Sequence, residues 1–218
     1  MLGWILLVSI VILILLSLFF LFDDLLLDRR EKKEFQRKVY KELHYFVEEQ
    51  DQLLLNHVNL YLSPDSADLS LFDHILLADK YVYVIHDFYA HGGIYGNVKD
   101  AMLFLKGYDE EIKNIPNPIL QNEEEVKKLE EFLSIQHSDK ILVSVVTYNS
   151  SLIVPDGIGK KEQNSWFLPL SDLVKTIRQA EQDDVTPISH EKTEKIVKAL
   201  QERSNLIKRE IKQQSKKK

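Results

Sequence analysis

The sequence has no cysteine, which excludes a disulfide framework and any thiolate metal site and suits a reducing compartment. No internal repeat is visible either, so a solenoid or propeller array is excluded. Charge is missing from the first stretch: Leu2–Phe22 holds no ionisable side chain, and only Ser9 and Ser17 interrupt its apolar run. As a helix rising 1.5 Å per residue, that run would reach roughly 30 Å, the thickness of a bilayer's hydrocarbon core. A cleavable signal peptide would need a basic start, a shorter apolar core and a small-residue cleavage site, and none of these is present. Arg29, Arg30, Lys32, Lys33, Arg37 and Lys38 follow the run, while its N-terminal side offers only the α-amino group. The positive-inside rule therefore predicts a single-pass membrane protein anchored in the lipid bilayer, with the N-terminus outside and the C-terminal domain in the cytoplasm.

The formal net charge of −6 argues against a domain that coats nucleic acid, but the charge is unevenly spread. From Ser189 to Lys218 ten Lys or Arg face four Glu, so the tail is basic and the body strongly acidic. Phe35, Val39, Leu43 and Phe46 recur at helical spacing between Arg30 and Gln50. Leu53–Leu62, Ser70–Ala78 and Lys80–Tyr89 read as a three-strand meander, broken at Ser63–Asp65 and Ala78–Lys80. A helix over Gln121–Gln136 carries Val126, Leu129, Phe132 and Leu133 on one stripe, and the almost continuous apolar run Lys140–Tyr148 predicts a strand buried on both faces. A short strand near Leu152, a helix over Leu170–Gln182 and a basic helix over His190–Gln213 complete an α+β order.

The segment Phe72–Gly96, FDHILLADKYVYVIHDFYAHGGIYG, carries the most information. Asp73-His74, Val84-Ile85, Gly92-x-Ile94-Tyr95-Gly96 and Asn117-Pro118-x-x-Gln121-Asn122 resemble, in order, the motifs of the nuclease-related domain (NERD) family, over roughly residues 33 to 180. The resemblance implies a restriction-endonuclease-like core: helix, three-strand meander, helix, strand. Three regions follow: a transmembrane anchor at 1–23, the NERD-like domain at 24–186, and a basic amphipathic C-terminal helix and tail at 187–218.

Phosphodiester hydrolysis in such a family calls for carboxylates that hold a divalent metal and a lysine that orients the nucleophile. Residues two apart on a strand share a face, so the family's Glu-x-Lys pair points at the Asp of the neighbouring strand. Here His86 and Phe88 stand where the Glu and Lys belong, and Gln36 stands where the resemblance places a further glutamate. Of the four positions only Asp73 keeps its group. The resulting expectation is a degenerate, inactive binding or scaffolding module with no metal or other cofactor. The alternative is a metal-dependent, membrane-tethered nuclease using Mg²⁺ or Mn²⁺, in which Asp87 replaces the glutamate after a one-residue bulge or Asp73 and His86 hold a softer metal. His74, His86 and His91 are otherwise read as histidines with ordinary hydrogen-bond partners. Tyr81, Tyr83, Tyr89 and Tyr95 are read as core or edge residues before a base-stacking surface. In the tail, Ile196, Leu200, Ile207 and Ile211 form one stripe, and Lys208, Arg209, Lys212, Lys216, Lys217 and Lys218 supply the charge. Anionic lipid, nucleic acid and another protein are the partners open to it, beside simple packing on the domain.

Overall fold

Phe35, Val39, Leu43 and Phe46 are buried, as their three- and four-residue spacing requires of one helical stripe. In the computed structural model they lie on α1, a helix over Leu2–Gln50. The structure describes the backbone of residues 2–61, 69–108, 110–135, 140–155, 158 and 164–215, and side chains within these from 26 to 204. The chain divides into two units, Met1–Lys38 and Val39–Lys218.

One expectation is corrected at α1. Among the described residues no helix is long and apolar enough to cross a membrane. A single-pass protein with its N-terminus outside and a cytoplasmic C-terminal domain is therefore not supported. The described side chains of α1, from Leu26 onward, are largely exposed and rich in charge. The run from Leu2 to Phe22, read as a span, lies outside the residues whose side chains are described.

The second unit is mixed α+β. After α1 come β1 (Leu53–Tyr61), β2 (Leu69–Leu77) and β3 (Val82–Phe88), an antiparallel meander close to the one expected. Three short strands follow that the sequence did not announce: β4 (Gly92–Tyr95), β5 (Met102–Lys106) and β6 (Ile112–Pro116). Helix α2 (Pro118–Leu133) then leads to β7 (Leu142–Tyr148), which pairs parallel with β3 and is buried on both faces as its apolar run demands. Next are β8 (Leu152–Ile153), β9 (Ser165–Pro169, also unannounced), α3 (Leu170–Ala180) and α4 (His190–Ser215). The main sheet runs β1-β2-β3-β7-β9, and a smaller sheet runs β6-β5-β4-β8.

Two apolar clusters hold the unit together. In one, Val126 and Leu129 of α2 and Ile196 and Leu200 of α4 meet Val58, Leu60, Ile75, Val84 and Leu142 of the main sheet. The start of the basic helix is thus bound to the domain, and Arg203 Nε adds a 2.8 Å hydrogen bond to the Tyr61 carbonyl. Lys208, Arg209, Lys212, Lys216, Lys217 and Lys218 lie beyond the described side chains. The second cluster joins the sheets: Ile94 and Leu103 of the small one pack with Ile119, Val146, Phe167 and Phe88.

The Asn117-Pro118 and Asn122 positions have clear structural work. Asn117 caps α2, accepting from the Ile119 amide, and its Nδ2 donates to the Val98 and Asp100 carbonyls at 2.8 and 2.9 Å. Pro118 fits the first turn, where its missing N–H has no intrahelical role. Asn122 Nδ2 lies within bonding distance of the Val84 and Val145 carbonyls and Ser144 Oγ, fastening α2 to β3 and β7. Asn117→Ala removes a cap and two loop contacts, and is expected to lower stability by about 2 kcal/mol in urea unfolding.

Candidate functional site

The site is built on β2 and β3. His74 is the Cα partner of Ile85, so one step further along the antiparallel pair Asp73 comes opposite His86. Cross-strand partners share a face. Accordingly His86 Nδ1 lies 2.8 Å from Asp73 Oδ2, with the imidazole 41% and the carboxylate 25% exposed. The Asp87 amide donates to the same oxygen at 3.0 Å. Burial works to raise the Asp73 pKa, but the bonds from His86 and the Asp87 amide outweigh it and hold the carboxyl below its ordinary value.

Asp87 points the other way. The parallel pairing of β3 with β7 runs unbroken from Val82–Leu142 to Phe88–Tyr148, so no bulge re-aims it. Its carboxylate is buried beside His74, whose Nε2 lies 3.1 Å from Asp87 Oδ2 and whose Nδ1 lies 2.6 Å from Asn56 Oδ1. Asp87 Oδ1 is buried without a hydrogen-bond partner. Burial raises the Asp87 pKa, with the His74 bond acting against it. If Nδ1 donates to Asn56, then Nε2 either donates to a carboxylate or accepts from a carboxylic acid. In both placements the pair is neutral overall, the condition for burying it.

Phe88, where the resemblance places a lysine, belongs to the cluster between the sheets, with its ring centroid 6.2 Å from that of Phe167. Gln36 lies half-buried on α1 in the first unit. His91 pairs with the Tyr89 hydroxyl at 2.6 Å. Of the four tyrosines, Tyr83 is buried, Tyr81 and Tyr89 are half-buried and Tyr95 is exposed.

A divalent metal fits these groups poorly. Magnesium takes hard oxygen ligands, usually with one or two carboxylates. Of the two carboxylates at this site, Asp73 already accepts two hydrogen bonds and Asp87 is turned to the other side. Among the described residues no group of three or more His, Asp or Glu side chains is placed to hold a metal ion.

Sequence reading missed Asn56 and Asn149. Asn56 is opposite His74 in the β1–β2 register, a relation that pairing alone reveals. Asn149 holds the chain just past β3, bonding both the amide and the carbonyl of Ala90 at 3.0 Å.

A helix, an antiparallel three-strand meander, a second helix and a strand parallel to the third, with an Asp on β2 facing β3, make a mixed α+β domain. A family model described as the nuclease-related domain, NERD, matches residues 30–154. The match spans more than half of the chain, which therefore belongs to the nuclease-related domain family. No curated protein and no solved structure matches it.

Proposed function

We propose that this chain is a nuclease-related domain of restriction-endonuclease-like core that has given up metal-dependent phosphodiester hydrolysis and acts as a binding or scaffolding module. The observation that carries the reading is the pairing of Asp73 with His86. A neutral or cationic imidazole occupies the place where a second carboxylate would complete a magnesium site, and it engages the remaining carboxylate. Phe88 supports the same reading, because a ring packed in an apolar cluster can neither orient water nor neutralise a phosphate. The geometry of β3 speaks against rescue by Asp87, which sits beneath the sheet with His74.

The test is incubation with Mg²⁺ or Mn²⁺ and single- and double-stranded DNA and RNA, with the Asp73→Ala variant run in parallel. The expected result is no cleavage above that of the variant. Metal-dependent cleavage abolished by Asp73→Ala would overturn the proposal.

A further inference from the structure

The link between α3 and α4, residues 181–189, joins two anchored helices. α3 ends on the buried side chains of Ile177 and Ala180, and α4 is fixed to the main-sheet cluster from Ile196 onward. Residues 182–187 between them are all exposed. Backbone bonds inside the link are local turns, from Gln182 to Gln179, Asp183 to Ala180 and Val185 to Asp183.

The bonds that tie the link to the sheet converge on the short turn between β2 and β3. The Lys80 amide donates to Glu181 Oε2 at 2.9 Å, and Lys80 Nζ donates to the Asp183 carbonyl. At the far end of the link the Ile188 amide donates to the Asp79 carbonyl at 2.7 Å. Tyr83 Oη, just inside β3, adds a bond to Glu181 Oε1 at 2.7 Å. The Ala78 amide closes the turn on the Tyr81 carbonyl at 3.0 Å, so both ends of the link are tied to one stiff post.

Apolar packing along the link is thin. Among the described residues, Ile188 is the one side chain of the link packed against the main-sheet cluster, and it is only half-buried. A cavity of about 480 Å³ lies beside it, lined by Leu53, Leu77, Ala78 and Asp79 of the sheet and turn and by Pro187 and Ile188 of the link. Atoms that border open space forgo the dispersion contacts a filled core supplies. Few buried apolar contacts and exposed hydrogen bonds mark the segments that open at the lowest cost.

We propose that residues 181–189 form a strap that lifts off the Asp79–Lys80 turn as one unit while α3 and the docked part of α4 stay in place, widening the cavity beside Leu77 and Ala78. The strap moves as a unit because its ties share the same two turn residues: once that grip fails at one end, little holds the other. It stands apart from the Asp73–His86 pair and does not depend on whether that pair is catalytic.

Amide hydrogen exchange of the full-length chain, followed by nuclear magnetic resonance at rising urea concentrations below the unfolding transition, tests the proposal. The Lys80 and Ile188 amides are expected to exchange at least about a hundredfold faster than those of β7, with rates nearly independent of urea because the opening exposes little surface. Glu181→Ala removes the bonds to Tyr83 Oη and the Lys80 amide, and should speed exchange at Ile188 roughly tenfold while leaving β7 unchanged. Glu181 bonds to Lys80 and Tyr83, so an effect at Ile188 reads the unity of the strap. Lys80→Met, which removes an exposed bond alone, should act in the same direction by about threefold, and serves if Glu181→Ala does not fold. Exchange of Ile188 and Lys80 only together with β7 and with the full urea dependence of unfolding would overturn the proposal. So would acceleration confined to Lys80, or equal acceleration in β7.

Discussion

Replacing His74 by Leu is expected to destabilise the second unit by roughly 3–5 kcal/mol, the range for removing one partner of a buried pair. His74 is 1% and Asp87 3% exposed. With the imidazole gone, the Asp87 carboxyl loses the hydrogen bond at Oδ2 and keeps an Oδ1 that has none. The penalty depends on pH in a definite direction. A buried carboxyl with a raised pKa keeps a proton that the unfolded chain releases above 3.8. Its contribution to stability is therefore complete below that value and is lost as pH rises through the folded pKa. Urea unfolding should show a larger loss for His74→Leu at neutral pH than near pH ~4, where the unfolded chain also holds much of that proton. The double variant His74→Leu/Asp87→Val should recover most of the loss, because apolar replacement of both partners removes the buried charge as well as the bond. A double variant as unstable as the single one would show that packing, not the pair, sets the effect.

Gly92→Ala should be at least as damaging. Gly92 has φ +94°, a conformation that side-chain-bearing residues rarely adopt, and a Cβ there would lie 2.0 Å from the Lys106 carbonyl oxygen. The obstacle is backbone of the paired strand, so no rotamer relieves it. Strain and clash together are expected to reach on the order of 3 kcal/mol or more. The damage falls on the β4–β5 pairing, which brings Ile94 and Leu103 into the cluster with Phe167. Gly93→Ala next door is the contrasting case: the atoms nearest its Cβ belong to the far end of the Tyr95 side chain, which can move aside. Thermal melts of the two variants should differ widely, and equal melting temperatures would contradict this account of the turn.

These two effects show why the sequence was readable in some places and opaque in others. The meander, α2 and β7 were legible because burial imposes a period: apolar alternation along β2, a stripe on α2, and a continuous run in β7, which lies between two strands. The small sheet was not. Its β4 opens on two glycines, β6 mixes Lys113, Asn114 and Pro116 with two isoleucines, and only one of its faces is buried, so neither propensity nor pattern stood out. At the site, the direction of Asp87 followed from strand alternation once an unbroken β3 was assumed. What filled the space around it did not, because the partner of His74 on β1 depends on which residues the meander sets opposite each other. The membrane-span expectation rested on the apolar length of Leu2–Phe22 and the basic residues after it, and among the described residues no helix is long and apolar enough to cross a membrane.

The central claim is that Asp73 no longer belongs to a divalent-metal site. Titration with Mn²⁺, followed by electron paramagnetic resonance of the free ion, tests it most directly on three proteins: the parent, Asp73→Ala and His86→Glu. The account predicts no saturable site in the parent or in Asp73→Ala, and measurable binding in His86→Glu, where two carboxylates would face each other across β2 and β3. Saturable Mn²⁺ binding by the parent that Asp73→Ala abolishes would contradict it.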